Sequence, residues 1–112
     1  MSTVTKFHAY REKMNELILS CGNREMNRFF ALDTAVYWEG VLPEKTKELL
    51  GLVASTVLRC NDCITYHLIQ CEKKGVTPEE LHEALSIALI VGGSITIPHI
   101  RYAFEICEEL YK

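Results

Sequence analysis

The segment Lys73-Lys74-Gly75-Val76-Thr77-Pro78-Glu79-Glu80 constrains the chain more than any other, because it closes one helix and opens the next. Two cations and a glycine mark a helix C-terminus: the cations suit the negative end of the dipole, and glycine accepts a left-handed backbone. Thr77, with Pro78 at the first helical position and Glu80 three residues on, is a capping-box pattern. The helix it opens carries Leu81, Ala84, Leu85, Ala88 and Leu89 and stops at Gly92-Gly93. A chain punctuated this way is committed to helix packed on helix.

The rest of the sequence repeats the pattern. Phe7, Met14, Leu17 and Ile18 recur at helical spacing up to Cys21-Gly22-Asn23. A second helix is expected from Arg24 to Trp38, anchored by Met26, Phe29, Phe30, Ala35 and Trp38 and ended by Glu39-Gly40. A third begins at Pro43 and continues through Leu49, Leu50, Leu52, Val53 and Val57. A fourth starts within Cys60-Asn61-Asp62-Cys63, and a last one follows Pro98 with Ile100, Ala103, Phe104, Ile106, Cys107 and Leu110. No period-two alternation is sustained; Val53 to Leu58 is rich in β-branched residues, and Ser94 to Ile97 reads as a short extended link. The expected fold is all-α with about six helices. No Pro/Gly/Ser tract divides it, so residues 1–112 are expected to form one domain. A faint repeat sets Pro43-Glu44, Glu48 and Leu50 beside Pro78-Glu79, Glu83 and Leu85, a likeness that helix-start preferences alone produce.

Of 112 residues, 48% are apolar and 24% charged, with a formal net charge of −3. That charge offers no broad attraction to phosphate backbones or anionic lipid, which argues against nucleic-acid and membrane partners. The most apolar run, Ala84 to Gly93, falls well short of the roughly 20 residues a membrane helix needs. A domain this small buries only about two thirds of its unfolded surface, so self-association is expected to help it. Five cysteines are an odd count, unlike a fully paired secreted framework, and Met1 to Arg11 lacks the apolar core of a signal peptide. The expected setting is the reducing cytoplasm.

The chemistry concentrates at Cys60-Asn61-Asp62-Cys63-Ile64-Thr65-Tyr66-His67, whose two cysteines and histidine share one helix face. Placed at the start of a helix, such cysteines meet unpaired N–H groups and the positive dipole end, which favour thiolate over thiol. His67, four residues beyond Cys63, is placed to take a proton from it, while Asp62 opposes a second negative charge nearby. Glu48 would lie about 18 Å from Cys60 on one continuous helix. A turn near Arg59 changes this: an antiparallel pair brings Glu48 and His67 to comparable heights, where a carboxylate can orient the imidazole in a Glu–His–Cys relay.

Plainer readings stand beside this one. A structural zinc site needs a fourth ligand, and there is no second cysteine pair or finger-spaced histidine pair; Cys71, His82 or His99 would have to reach the site through the tertiary fold. Cys71 continues the Cys63–His67 face and reads as a packed thiol, and Cys21 and Cys107 as small core residues. His8 and His82 read as surface residues and His99 as a pocket candidate. Trp38, Phe29, Phe30 and Tyr66 read as core or subunit-contact aromatics. Gly92-Gly93 ends a helix and lacks the lysine of a phosphate loop.

Glu48, Cys60, Cys63 and His67, in that order and spacing, together with Lys47-Glu48-Leu49 and the Lys74-to-Leu81 joint, resemble the AhpD-like alkylhydroperoxidase branch of the carboxymuconolactone decarboxylase-like superfamily. The resemblance covers Pro43 through Gly93. It implies an all-helical fold assembled as a homotrimer or homohexamer, acting as a thiol-dependent peroxidase or disulfide oxidoreductase. It casts Cys63 as the nucleophile that attacks peroxide, Cys60 as proton donor and resolving thiol, and His67 and Glu48 as the proton relay. No bound cofactor or metal is implied; a peroxide or disulfide is the substrate, and an external dithiol, protein or small molecule, regenerates the pair. One departure is Asp62, where peroxidase members can carry a histidine; the carboxylate makes Cys63 less acidic. Two alternatives remain: a lyase of the decarboxylase type using His67 and Glu48 with incidental cysteines, and a non-enzymatic helical oligomer that responds to redox state.

Overall fold

The Lys73-to-Glu80 joint is built as its residues dictate. In the computed structural model, which describes residues 2–112, Gly75 takes a left-handed backbone (φ 82°). The N–H groups of Gly75 and Val76 return to Glu72 O and Cys71 O at 3.2 and 3.0 Å, closing a Schellman motif. Both arms of the capping box form: Glu80 N–H donates to Thr77 Oγ1 at 3.1 Å and Thr77 N–H donates to Glu80 Oε1 at 2.9 Å. That backbone donor, with Lys45 Nζ at 3.1 Å, holds the Glu80 carboxyl below the usual carboxylate range.

The elements are α1 (Thr3–Ser20), α2 (Arg24–Val36), α3 (Glu44–Val57), α4 (Asn61–Lys73), α5 (Pro78–Gly92), a 3-10 turn (Ser94–Thr96) and α6 (Ile97–Leu110). No strand occurs among the described residues. Helix α3 packs on α4 and α5, and α4 also packs on α6. Leu52, Ile64, Leu68, Leu81, Leu85, Ala103 and Ile106 form the core between them. Helices α1 and α2 bury no residue fully; α1 is tied to α6 by Val4 N–H donating to Glu109 Oε1 at 2.9 Å.

The α3–α4 turn decides where the site forms. Cys60 N–H bonds Ser55 O and Arg59 N–H bonds Thr56 O, both at 3.0 Å, a second Schellman closure. The left-handed residue here is Arg59 (φ 62°), not glycine, which costs about 1–2 kcal/mol. Cys60 is then the N-cap of α4. One residue therefore ends the closure of α3 and starts α4, so the first cysteine is fixed by both helices.

Several local expectations are corrected. Helix α2 stops at Val36 rather than Trp38, because Lys47 Nζ takes Val36 O and Trp38 O, each at 2.9 Å, and ends the ladder. Pro43 is the extended N-cap of α3 (ψ 156°), one position before the first helical residue, whereas Pro78 lies inside α5; the faint repeat does not superpose helix starts. The β-branched run Val53–Val57 is helical, with Thr56 Oγ1 donating to Leu52 O at 2.8 Å. Ser94–Thr96 is a 3-10 turn, not an extended link: Thr96 N–H and Oγ1 both donate to Gly93 O, at 3.0 and 2.8 Å. Ile97 opens α6, with Pro98 inside its first turn. Cys21 is exposed rather than packed, because it caps α1, which buries nothing. Phe29 and Trp38 are 67% and 62% exposed and serve no core within the chain. Met1, which opens the segment read for a signal peptide, lies outside the described residues. No helix among the described residues is long and apolar enough to cross a membrane.

Candidate active site

The four residues singled out in sequence converge on the α3–α4 pair. Cys60 and Cys63 are joined as a disulfide, their Cα atoms 5.3 Å apart. Cys63 N–H also points at Cys60 Sγ, 3.3 Å away, so the sulfur occupies the acceptor position that a serine or aspartate oxygen takes in an ordinary N-cap. Cys63 lies in the first turn and is exposed, whereas Cys60 is half-buried. Asp62, also exposed, lies in that turn. Its charge complements the helix dipole and opposes a thiolate beside it.

His67 follows one turn later. It and Glu48 are 7% and 2% exposed. His67 Nδ1 and Glu48 Oε1 are 2.9 Å apart. A carboxylate only accepts, so Nδ1 carries the proton and donates; in the neutral imidazole Nε2 is then the acceptor. The partner nearest to Nε2 was not foreseen: the Tyr37 hydroxyl, 3.4 Å away, from the residue that caps α2. The Tyr37 and Tyr66 rings flank the imidazole, each with its centroid 5.2 Å from it. Burial first, then the Glu48 charge, pushes both phenols above their ordinary value, so both stay protonated as donors. Arg11 stacks over Tyr66 at 4.3 Å and closes that side.

Gly51 was missed as well. A Cβ there would stand 2.6 Å from His67 Cε1, so only glycine lets the ring lie against α3. Its signal was available: a lone glycine inside an amphipathic helix costs about 1 kcal/mol and marks a close approach. Tyr37 had no such signal, because thirty residues separate it from His67 with no periodicity to link them.

A cavity of about 550 Å³ opens over the pair, lined by Cys63, His67, Asp62 and Tyr66 on one side and by Phe7, Tyr10, Arg11 and Met14 of α1 on the other. The remaining candidates lie apart from it. Cys71 and Cys107 are core thiols that burial pushes up to about 12 and about 11. His99 is half-buried and hydrogen-bonded to Asn61 Oδ1 at 2.8 Å, and His82 stacks on Phe104. Among the described residues no three His, Cys, Asp or Glu side chains converge as metal ligands.

The model of the carboxymuconolactone decarboxylase family matches residues 24–109. The chain belongs to that family. Two crystal structures of one Thermotoga maritima protein, TM1620, resemble it, at 59% and 58% identity with TM-scores of 0.92 and 0.90. Each covers 94% of this chain, and the chain covers 92% and 89% of them. One of the two is described as a carboxymuconolactone decarboxylase family protein with a suggested involvement in antioxidative response. A family protein from Legionella pneumophila is 32% identical, with a TM-score of 0.73, over 96% of this chain and 89% of that one. An uncharacterized protein of the cox locus of Paracoccus denitrificans is 28% identical over 82 residues, 73% of this chain and 74% of the relative. The six-helix arrangement is the family's all-α fold.

Proposed function

We propose that this family member is a thiol-dependent peroxidase or disulfide oxidoreductase of the alkylhydroperoxidase type, with Cys63 as nucleophile, Cys60 as resolving thiol, and His67 and Glu48 as proton relay. The observation that carries the reading is the exposed Cys63, disulfide-linked to Cys60, sharing a cavity wall with a His67 whose Nδ1 is held by a buried Glu48. In the reduced protein, His67 Nε2 takes the Cys63 proton, and the N-terminal dipole of α4 stabilises the thiolate.

The thiolate attacks the terminal oxygen of a hydroperoxide ROOH. The O–O bond breaks, the S–O bond forms, and ROH leaves with the proton held on His67. The Cys60 thiol then attacks the sulfenic sulfur, forming the disulfide and releasing water. An external dithiol attacks the exposed Cys63 sulfur and displaces Cys60 as thiolate. Its second thiol closes its own disulfide and releases Cys63, so two electrons and two protons return to the pair. Used without peroxide, the same cycle reduces a disulfide substrate.

The apolar residues exposed on α2, among them Met26, Phe29, Leu32 and Val36, support assembly as a trimer or hexamer, since a patch of this kind is rare on a monomer. A cytoplasmic setting follows from the need for a reducing dithiol.

The test is peroxide consumption with dithiothreitol as reductant, with peptide mass mapping of the oxidised protein. Wild type is expected to turn over and to yield a Cys60–Cys63 linked peptide, and Cys63→Ser to fall to the buffer background. Turnover that survives Cys63→Ser or thiol alkylation overturns the assignment and leaves His67 and Glu48 as proton-transfer groups of another reaction.

A further inference from the structure

In the proposed cycle the disulfide removes the group that His67 Nε2 serves: in the reduced protein Nε2 takes the Cys63 thiol proton, and in the disulfide Cys63 Sγ carries none. The imidazole is buried, and a buried acceptor without a donor is costly. In this structure, which holds the disulfide, the nitrogen is met by the Tyr37 hydroxyl at 3.4 Å, longer than the 2.7–3.2 Å typical of an imidazole bond.

The placement of Tyr37 is itself constructed. Lys47 Nζ donates to Val36 O and Trp38 O at 2.9 Å each, binding the carbonyls on either side of Tyr37. Lys47 adjoins Glu48 on α3. The same helix therefore holds His67 Nδ1 through Glu48 and, through Lys47, anchors the residue that reaches Nε2.

We propose that Tyr37 is a positioning residue that exchanges with Cys63: its hydroxyl occupies His67 Nε2 while the disulfide is closed and releases it to the Cys63 sulfur when the pair is reduced. This inference rests on the redox reading of the Cys60–Cys63 pair and deepens it. Whenever the imidazole is neutral it then keeps one tautomer, with the proton on Nδ1 toward Glu48 and Nε2 as the acceptor. The charged and titratable groups around the phenol are Glu48, Asp33 and Tyr66, with Arg11 stacked behind Tyr66.

Tyr37→Phe removes only the hydroxyl, and the experiment reads the two ring nitrogens of His67 by nitrogen NMR in the disulfide and dithiothreitol-reduced forms. The expected result is an Nε2 resonance displaced toward the free-acceptor position in the disulfide form of the variant, and unchanged from wild type in the reduced form. The disulfide is expected to be about fivefold easier to reduce by dithiothreitol, because the variant loses one neutral hydrogen bond made only in the disulfide form, with the thermal midpoint held within about 2 °C. Lys47→Met is expected to give the same disulfide-only displacement. An Nε2 resonance unmoved in the disulfide form, or moved equally in both forms, overturns the exchange. Neither NMR arm needs peroxide, so failed peroxide turnover beside a disulfide-only displacement sinks the peroxidase reading and leaves the exchange standing.

Discussion

The two halves of this molecule follow different rules. Helices α3 to α6 share one core, in which Leu52, Ile64, Leu68, Leu81 and Ile106 are fully buried. Helices α1 and α2 bury nothing fully, and α2 presents Phe29, Leu32 and Val36 to solvent. Yet the site draws on both: Glu48, Cys60, Cys63 and His67 stand on the packed half, while Tyr37, Phe7, Tyr10 and Arg11 cover them from the unpacked one. The imidazole and the carboxylate that holds it are buried in the packed half, while Cys63 stands at its exposed edge. Their cover lies where little internal burial resists movement.

The sharpest way to break this contrast is a matched pair of truncations followed by urea unfolding. Leu68→Ala is expected to cost about 2–5 kcal/mol, because a fully buried leucine leaves a cavity its neighbours only partly fill. Phe29→Ala is expected to change chain stability by less than about 0.5 kcal/mol. If copies of the chain cover α2, the same Phe29 variant shows its effect in sedimentation instead, as a smaller assembly. A large loss of stability in a Phe29→Ala monomer would show that α2 is packed after all.

Gly51→Ala sharpens the comparison inside the packed half. The added methyl drives against the imidazole, so we expect a loss of about 1–3 kcal/mol and at least a tenfold fall in turnover, since the ring must leave Glu48 to make room. The Gly22→Ala variant is the control from the other half: its Cβ meets nothing within 4 Å, and its left-handed backbone (φ 82°) costs only about 1 kcal/mol. Turnover is expected to be unchanged there.

The smallest effect is alkaline. Burial raises the Cys71 and Cys107 thiols from an ordinary 9.0 to about 12 and about 11, so the folded state keeps them protonated while the unfolded state ionises. Their contribution to stability is complete below pH 9 and is lost progressively as pH rises through 11 to 12. Unfolding midpoints measured from pH 8 to 11 should decline from about 9 upward. At neutral pH iodoacetamide should label exposed Cys21 in the folded protein and leave Cys71 and Cys107 untouched.

Much of the fold was legible because it is written in local chemistry. Thr77 and Glu80 satisfy each other's backbone across three residues, and Gly75 and Gly22 end helices by backbone conformation alone. The exceptions had non-local causes: α2 loses its last two residues to Lys47, which arrives from another helix, and Cys21 is exposed because nothing packs on the end of α1. Within the site, the spacing of Cys60, Cys63 and His67 already placed them on one helix face. The facing Glu48 followed from a turn at Arg59.

By itself, then, the sequence determined six helices, their principal start and stop signals, and a thiol–imidazole face on α4, since each depends on residues within a turn or two of one another. The tertiary structure decided what surrounds the imidazole. Glu48 on Nδ1, Tyr37 on Nε2 and Gly51 beneath the ring come from two other helices. No periodicity connects residues sixteen to thirty positions apart; only the packing of α3 on α4, with the end of α2 fastened to α3 by Lys47, brings them within hydrogen-bonding or van der Waals reach.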